Sequence, residues 1–171
     1  MTVEPRRTAT DRVAIRPGTI DDVAHIARLL RLLADSLDGL DDHRSTAETI
    51  QRDGFGRSPL FHTFLAEPAD GVGDPIALCV YLADYSTTRA RAGVYVLDLV
   101  VDPNWRGSGV GLDLLRTVAE AGRRKWDADY LILSVDTANH RARRFYQRHG
   151  MVIDEKSNVM TLDGLASFLD R

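Results

Sequence analysis

The chain has 171 residues, a formal net charge of −3 and 44% hydrophobic residues, which suits one globular domain with a sizeable core. That charge argues against nonspecific nucleic-acid affinity, which depends on clustered basic charge, and no apolar run approaches the roughly 20 residues of a membrane span. Met1 to Arg12 lacks the apolar centre of a secretory signal and the single cysteine cannot close an internal disulfide, so a cytoplasmic protein with no membrane or nucleic-acid partner is expected.

Met1 to Arg12 is polar, contains Pro5 and reads as a mobile tail (residues 1–12) before a single domain spanning 13–171. Val13 to Arg16 alternates as a first strand. Thr19-Ile20-Asp21-Asp22 resembles a capping box, and Ile20, Val23, Ile26, Leu30 and Leu33 then recur at helical spacing, with His25 on the solvent flank. Asp35, Asp38, Asp41 and Asp42 crowd the link to a shorter helix around Thr46 to Asp53; as short acids in a loop they suit a solvated surface. Phe61 to Glu67 and Ile76 to Tyr85 read as an antiparallel hairpin around Pro68 to Pro75, with Cys79 a small buried hydrophobe. After a polar turn, Ser86 to Ala92, comes an apolar central strand, Val94 to Asp102.

The run that follows carries the most chemical information. Beyond Asp102-Pro103, Arg106 precedes Gly107, Gly109 and Gly111, and an amphipathic helix from Val110 to Trp126 buries Leu112, Leu115, Val118 or Ala119, and Trp126. Glycines without Cβ atoms let successive N–H groups face one concavity, and the helix adds unpaired N–H groups and the positive end of its dipole. Such a site favours phosphate. A nucleoside-triphosphate loop would end Gly-Lys-Ser/Thr, whereas Gly111 is followed by Leu112; a dinucleotide fingerprint would be G-x-G-x-x-G on a first strand. A glycine turn with no ligand is the remaining alternative.

Downstream, Tyr130 to Val135 reads as a strand, and Asn139 starts a helix over His140 to His149 that Gly150 closes in a left-handed stop. Met151 to Asp154 and Asn158 to Leu162 read as closing strands, with a last half-buried helix over Asp163 to Leu169. Internal repeats and Cys/His metal spacing are absent.

Arg106-Gly107-Ser108-Gly109-Val110-Gly111 after a hydrophobic strand, with Asn139 and Phe145-Tyr146 downstream, resembles the acetyl-coenzyme A signature of the GNAT superfamily of N-acetyltransferases. Within it the chain is similar to the diamine (spermidine/spermine) and thialysine acetyltransferase group, through Ile15-Arg16-Pro17, Asp53-Gly54-Phe55-Gly56, Pro59-Leu60-Phe61-His62 and Ala66-Glu67 as well. These segments span about Ala14 to Leu165. The resemblance implies an α/β (α+β) fold: a mixed, mostly antiparallel sheet of six to seven strands flanked by about four helices, with acetyl-CoA held at a splay between the fourth and fifth strands. It also implies a homodimer and no metal.

The same resemblance assigns Leu99, Val100, Val101, Arg106 to Leu112, Asn139 and Ala142 to the coenzyme, Leu99 and Val101 offering backbone groups to its pantetheine arm. Asp35, Asp38 and Leu97 fall to the acceptor. Tyr146 stands where the family has its general acid, and a phenol of pKa near 10 is suited to protonating a departing thiolate. Amine acetylation also requires loss of the ammonium proton, which at pH 7 costs roughly 4 to 5 kcal/mol for a pKa of about 10.4. The diamine group has Glu-Asp in the central strand, its glutamate being the favoured base. This chain has Leu97-Asp98, and leucine takes no proton. Asp98 is structural, orients a water, or replaces the base after a small register change. The expected activity is N-acetylation of a small diamine, polyamine or lysine-like amine by direct attack in a ternary complex. An amino acid, an antibiotic amine or a protein N-terminus is the alternative acceptor. A noncatalytic coenzyme A sensor is the alternative outside enzymes.

Overall fold

In the computed structural model, residues 6–7 and 12–155 are described, and the chain divides into two compact units, 1–134 and 135–171. The first unit is built on one sheet in the order β1-β2-β3-β4-β5-β6, with strands Arg6–Arg7, Val13–Pro17, His62–Pro68, Ala77–Ser86, Arg91–Val101 and Tyr130–Leu133. Every pairing is antiparallel except that of β5 with β6. Helices α1 (Val23–Ser36), α2 (Ala47–Phe55) and α3 (Val110–Trp126) complete it. In the second unit, α4 spans His140–Arg148. The sheet is mixed and mostly antiparallel, as the sequence implies.

The arrangement follows from which faces are apolar. Ala77 to Tyr81 of β4 are buried in succession, the pattern of a strand covered on both sides. On one face Val23, Ile26 and Leu29 of α1 and Ile50 of α2 pack with Leu65, Leu78, Val80 and Val100 of the sheet. On the other lies α3, whose Val110, Leu114 and Val118 form a buried row at i, i+4, i+8. Gly122 extends that row, and a Cβ there would stand 2.1 Å from Val94 Cγ2, so the glycine lets helix and sheet approach. Leu115 and Val118 are buried as expected, and the row corrects the remainder of the expected inward face. Leu112 is half-buried and Ala119 exposed, because a helix beginning at Val110 turns them away from the 110-114-118 stripe.

Three further differences concern the ends of the chain. Arg6–Arg7 pairs with Ala14 and Ile15, a ladder that a tail over 1–12 does not anticipate. Met151 to Asp154 forms no strand: after Gly150, at φ 87°, its apolar residues include Val152 and Ile153, both exposed. The expected strand at 158–162 and helix at 163–169 lie outside the described residues. Among the described residues no helix is long and apolar enough to cross a membrane.

The entry to α1 is fixed by charge. Arg16 at the end of β2 donates from both terminal nitrogens to the Asp22 carboxylate, at 2.7 and 2.7 Å, and from Nε to Glu67 of β3 at 3.0 Å. Thr19 adds its N–H and Oγ1, each 2.8 Å from Asp22 Oδ2. Asp22 is buried, and the Arg16 hydrogen bonds hold its carboxyl at about 2, below the usual 3.8. A folded-state pKa below the unfolded one contributes stability that is complete above the unfolded value and lost as pH falls through the folded one. Asp22→Asn is therefore expected to cost about 2 kcal/mol at neutral pH in urea denaturation. The deficit against wild type should shrink as pH falls from about 4 to about 2; a deficit independent of pH would contradict this origin.

Candidate active site

The site begins where β5 loses a neighbour. β6 pairs with Gly93 to Val96 and ends at Leu133, so from Leu97 to Val101 the side of β5 away from β4 has no partner strand among the described residues. On the β4 side the ladder continues to the last residues, Asp102 N–H donating to Ile76 O at 2.8 Å. Alternation along an antiparallel pair then directs the N–H and C=O of Val100 toward β4 and those of Leu99 and Val101 toward the open side. This is the splay implied between the fourth and fifth strands, numbered β5 and β6 with Arg6–Arg7 included. Of the three residues assigned to the coenzyme here, Leu99 and Val101 present backbone outward. Val100 instead turns its side chain into the α1 and α2 core and its polar backbone to β4.

That open edge leads into the glycine turn. Asp102 accepts from Asn104 N–H at 2.9 Å and Pro103 opens a single 3-10 turn, Pro103–Trp105. Ser108 Oγ then donates to Trp105 O at 2.6 Å. Gly107 and Gly109 take φ of 83° and 91°, and a Cβ on either would meet no atom within 4 Å. The glycines are therefore required by backbone conformation and by the open space in front of them, not by crowding. Gly109 caps α3; Val110, buried, anchors the first turn, and Gly111 lies inside it, so two of the three glycines make the concavity. Leu112 and Asp113 N–H already donate to Gly109 O at 3.0 and 3.1 Å, so the N–H groups of Val110 and Gly111 are the ones that mark the positive end of the α3 dipole. Arg106 lies beside the turn with Nε donating to Val101 O at 3.0 Å, which leaves that carbonyl one further lone pair. An elongated ligand with amides along β5 and a phosphate at α3 matches these groups, as a pantetheine pyrophosphate would.

The acidic position of β5 is set by a bulge. Val80 pairs with Asp98 but Tyr81 with Val96, so Leu97 is the extra residue opposite none. The extra residue reverses the facing of everything after it. Val94 and Val96 before it are buried, Val94 against Gly122 of α3; beyond it, Val100 faces α1 and α2, and Asp98, two residues earlier, shares that face. Leu97 itself is 43% exposed. Burial raises the Asp98 carboxyl above its usual value, and the charge of His43 opposes that rise. His43, 55 positions from Asp98, was not among the residues the sequence singled out. Asp35 ends α1 exposed, and Asp38 follows in a left-handed conformation with φ 54°, also exposed. Among the described residues neither carries an ion pair. Cys79 is buried, and burial pushes its thiol up, far from reactivity.

In the second unit Asn139 caps α4, its Oδ1 accepting from Ala142 N–H at 3.0 Å, so the Ala142 N–H assigned to the coenzyme is used within the helix. Phe145 and Tyr146 stand edge to face with centroids 5.2 Å apart, Tyr146 half-buried. Arg141, Arg144 and Arg148 recur at i, i+3, i+7 beside Gln147 along an open basic cleft that the sequence reading did not single out, although its spacing is plain. Among the described residues no group of three or more His, Cys, Asp or Glu is placed to hold a metal ion.

The chain matches the model of the acetyltransferase (GNAT) family over residues 26–151. It is 34% identical over 143 residues to a thialysine N-epsilon-acetyltransferase of Bos taurus, covering 81% of this chain and 83% of that protein. It is 29% identical over 119 residues to a spermidine/spermine N(1)-acetyltransferase-like protein 1 of Homo sapiens, covering 67% of this chain and 17% of that protein. Among solved structures, an aminoglycoside acetyltransferase from an uncultured soil metagenomic sample superposes with a TM-score of 0.72 at 17% identity, over 91% of this chain and 98% of that one, and so shares the fold. With a sheet that opens beside β5, a glycine turn at α3 and these relatives, the chain belongs to the GNAT family and is an acetyltransferase.

Proposed function

We propose that this enzyme transfers the acetyl group of acetyl-CoA to the primary amine of a small lysine-like molecule, by direct attack within a ternary complex. The observation that carries the proposal is the continuity of the open β5 edge, Leu99 and Val101, with the left-handed glycines at the start of α3. Acetyl-CoA supplies an activated acetyl thioester. Leu99 and Val101 hold its amide arm by backbone hydrogen bonds, and Gly107 to Leu112 hold its pyrophosphate, with Arg106 bracing the strand end. Asn139 adds a contact to the arm while capping α4. Asp98 takes the ammonium proton, and Tyr146, matched by its motif to the family acid, gives a proton to the departing sulfur.

A lysine-like acceptor is favoured over a polyamine by Leu97. The residue at the bulge is exposed and apolar, where a second carboxylate would draw a longer polycation. The relative at 34% identity is named for thialysine, whose class of substrate fits an ammonium at one end of a short apolar arm. Asp35 and Asp38 supply a weak, distant attraction for further positive charge. By family analogy the protein acts in the cytoplasm as a homodimer of single catalytic domains, a state that sedimentation measures directly.

Free-thiol release should rise above background hydrolysis with a panel of lysine analogues, diamines, polyamines and aminoglycosides. Its largest kcat/KM is expected for a lysine analogue. Normal coenzyme binding with no amine-dependent release would leave a sensor, not an enzyme. Tyr146→Phe is expected to lower kcat about a hundredfold with coenzyme affinity unchanged by calorimetry. Gly109→Ala should raise the KM for acetyl-CoA several-fold, since a left-handed φ costs a non-glycine residue about 1 kcal/mol and its Cβ enters the concavity. Neutralising Asp35 and Asp38 together should raise KM by at most about fivefold for a polyamine and leave a lysine analogue unaffected.

A further inference from the structure

Resting on the acetyl-transfer reading above, we propose that Tyr95 is a positioning residue for the coenzyme: its phenol, bonded to Ser134, pins the fork at which β6 leaves β5 and keeps open the edge that receives the pantetheine arm. β6 pairs with β5 in parallel, Tyr95 opposite Ile132 and Val96 opposite Leu133, and Leu133 is its last residue. The next rung of that ladder would set Ser134 opposite Leu97, and these two residues do not pair. Instead the Ser134 hydroxyl lies 2.7 Å from the Tyr95 hydroxyl. Ser134 is the diagonal neighbour of Tyr95, two residues beyond Ile132, a span within reach of a long aromatic side chain. Ser134 also closes the first compact unit, so both hydroxyls belong to one packed body.

Alternation gives the face of the sheet on which this bond lies. Val94 and Val96 are buried on the α3 side, Val94 against Gly122 and Val96 opposite Tyr81, whose ring meets Trp126. Tyr95 between them therefore points to the other face, as do Ile132 and Ser134 in register with it. The bulge at Leu97 brings Asp98 to that same face. Tyr95 is half-buried, whereas Ile132 and Ser134 are exposed, so the bond crosses an uncovered part of the sheet. Two devices thus meet at the fork: the bulge bends β5 away from the line that β6 follows, and the hydroxyl bond fixes where that divergence starts. The backbone groups of Leu99 and Val101 serve an amide-bearing ligand only while no strand pairs with them. A fork free to drift would zip β6 forward over that edge or fray the rung at Val96. Held at Val96 and Leu133, the edge is ordered before the coenzyme arrives, which removes that ordering cost from binding. Tyr95 acts through the backbone that it holds and takes no part in proton transfer.

The test uses the full-length enzyme, with coenzyme A as the probe. Tyr95→Phe keeps the ring and removes the bond, Ser134→Ala removes it from the other side, and Ser134→Thr keeps a hydroxyl in place. Each of the first two should weaken coenzyme A binding in calorimetry by about threefold to tenfold, the range of one such hydrogen bond. The KM for acetyl-CoA should rise by a similar factor, with the effect on kcat at saturating coenzyme much smaller. The double variant should be no worse than either single one, because the same bond is lost in all three. Ser134→Thr should bind coenzyme A as the wild type does. In the ligand-free protein, Tyr95→Phe should quicken amide exchange at the end of β6, residues 132–134, and leave the β4 and β5 ladder unchanged. Wild-type affinity in Tyr95→Phe, additive losses in the double variant, or faster exchange throughout the sheet overturns the pin alone. A wild-type protein that binds coenzyme A and acetylates no amine overturns the acetyl-transfer reading, while calorimetry and exchange still decide the pin. A wild-type protein that binds no coenzyme A overturns both.

Discussion

A strand that is paired on both sides for part of its length and on one side for the rest is the constraint on which this structure depends. β5 is flanked by β4 and β6 from Gly93 to Val96, then by β4 alone to Val101. Unpaired N–H and C=O groups in a half-buried strand are costly unless something hydrogen-bonds them. Arg106 satisfies one, the Val101 carbonyl, and a ligand with amides would suit the others. The open edge is thus an unfinished ladder, and the glycine turn that follows sets the direction from which it is completed.

Holding such an edge in place requires that everything around it be firmly packed. Val100 is anchored among α1, α2 and the neighbouring strands, and the 110-114-118-122 row of α3 clamps the opposite face. The start of α1 is tied to the sheet by Arg16, which links Asp22 to Glu67 through three short bonds. A buried carboxylate bonded in this way is expensive to form without its arginine, so the network specifies where α1 leaves the sheet.

The bulge connects these features to chemistry. Without an extra residue at Leu97, Asp98 would lie on the same face as Val94 and Val96, against α3 and away from the acceptor side. With it, the carboxyl is half-buried on the α1 and α2 face of the sheet, where burial raises its pKa and the charge of His43 opposes the rise. One inserted residue therefore separates an open backbone edge on β5 from a carboxyl side chain on its α1 and α2 face.

Much of this was determined by sequence alone. The helix from Val110 to Trp126 is where the glycines and the apolar period place it, and the Phe61 to Tyr85 hairpin and the Asn139 cap follow from local turn and capping chemistry. The family, too, was legible, because Arg106 to Gly111 and Phe145-Tyr146 are short motifs whose spacing is fixed by what they bind. Local patterns fail where the outcome depends on a second strand or helix. Leu112 and Ala119 read as inward because the period fits them equally well; only packing against Val94 selects the row through Leu114 and Val118. The bulge leaves no mark in Leu97-Asp98 itself, since it is a property of the register between β4 and β5. Sequence by itself determined the glycine turn and the start of α3, because both are local properties of the backbone; tertiary structure decided which side chains share a face with Asp98, because that is set by register and by the approach of separate elements.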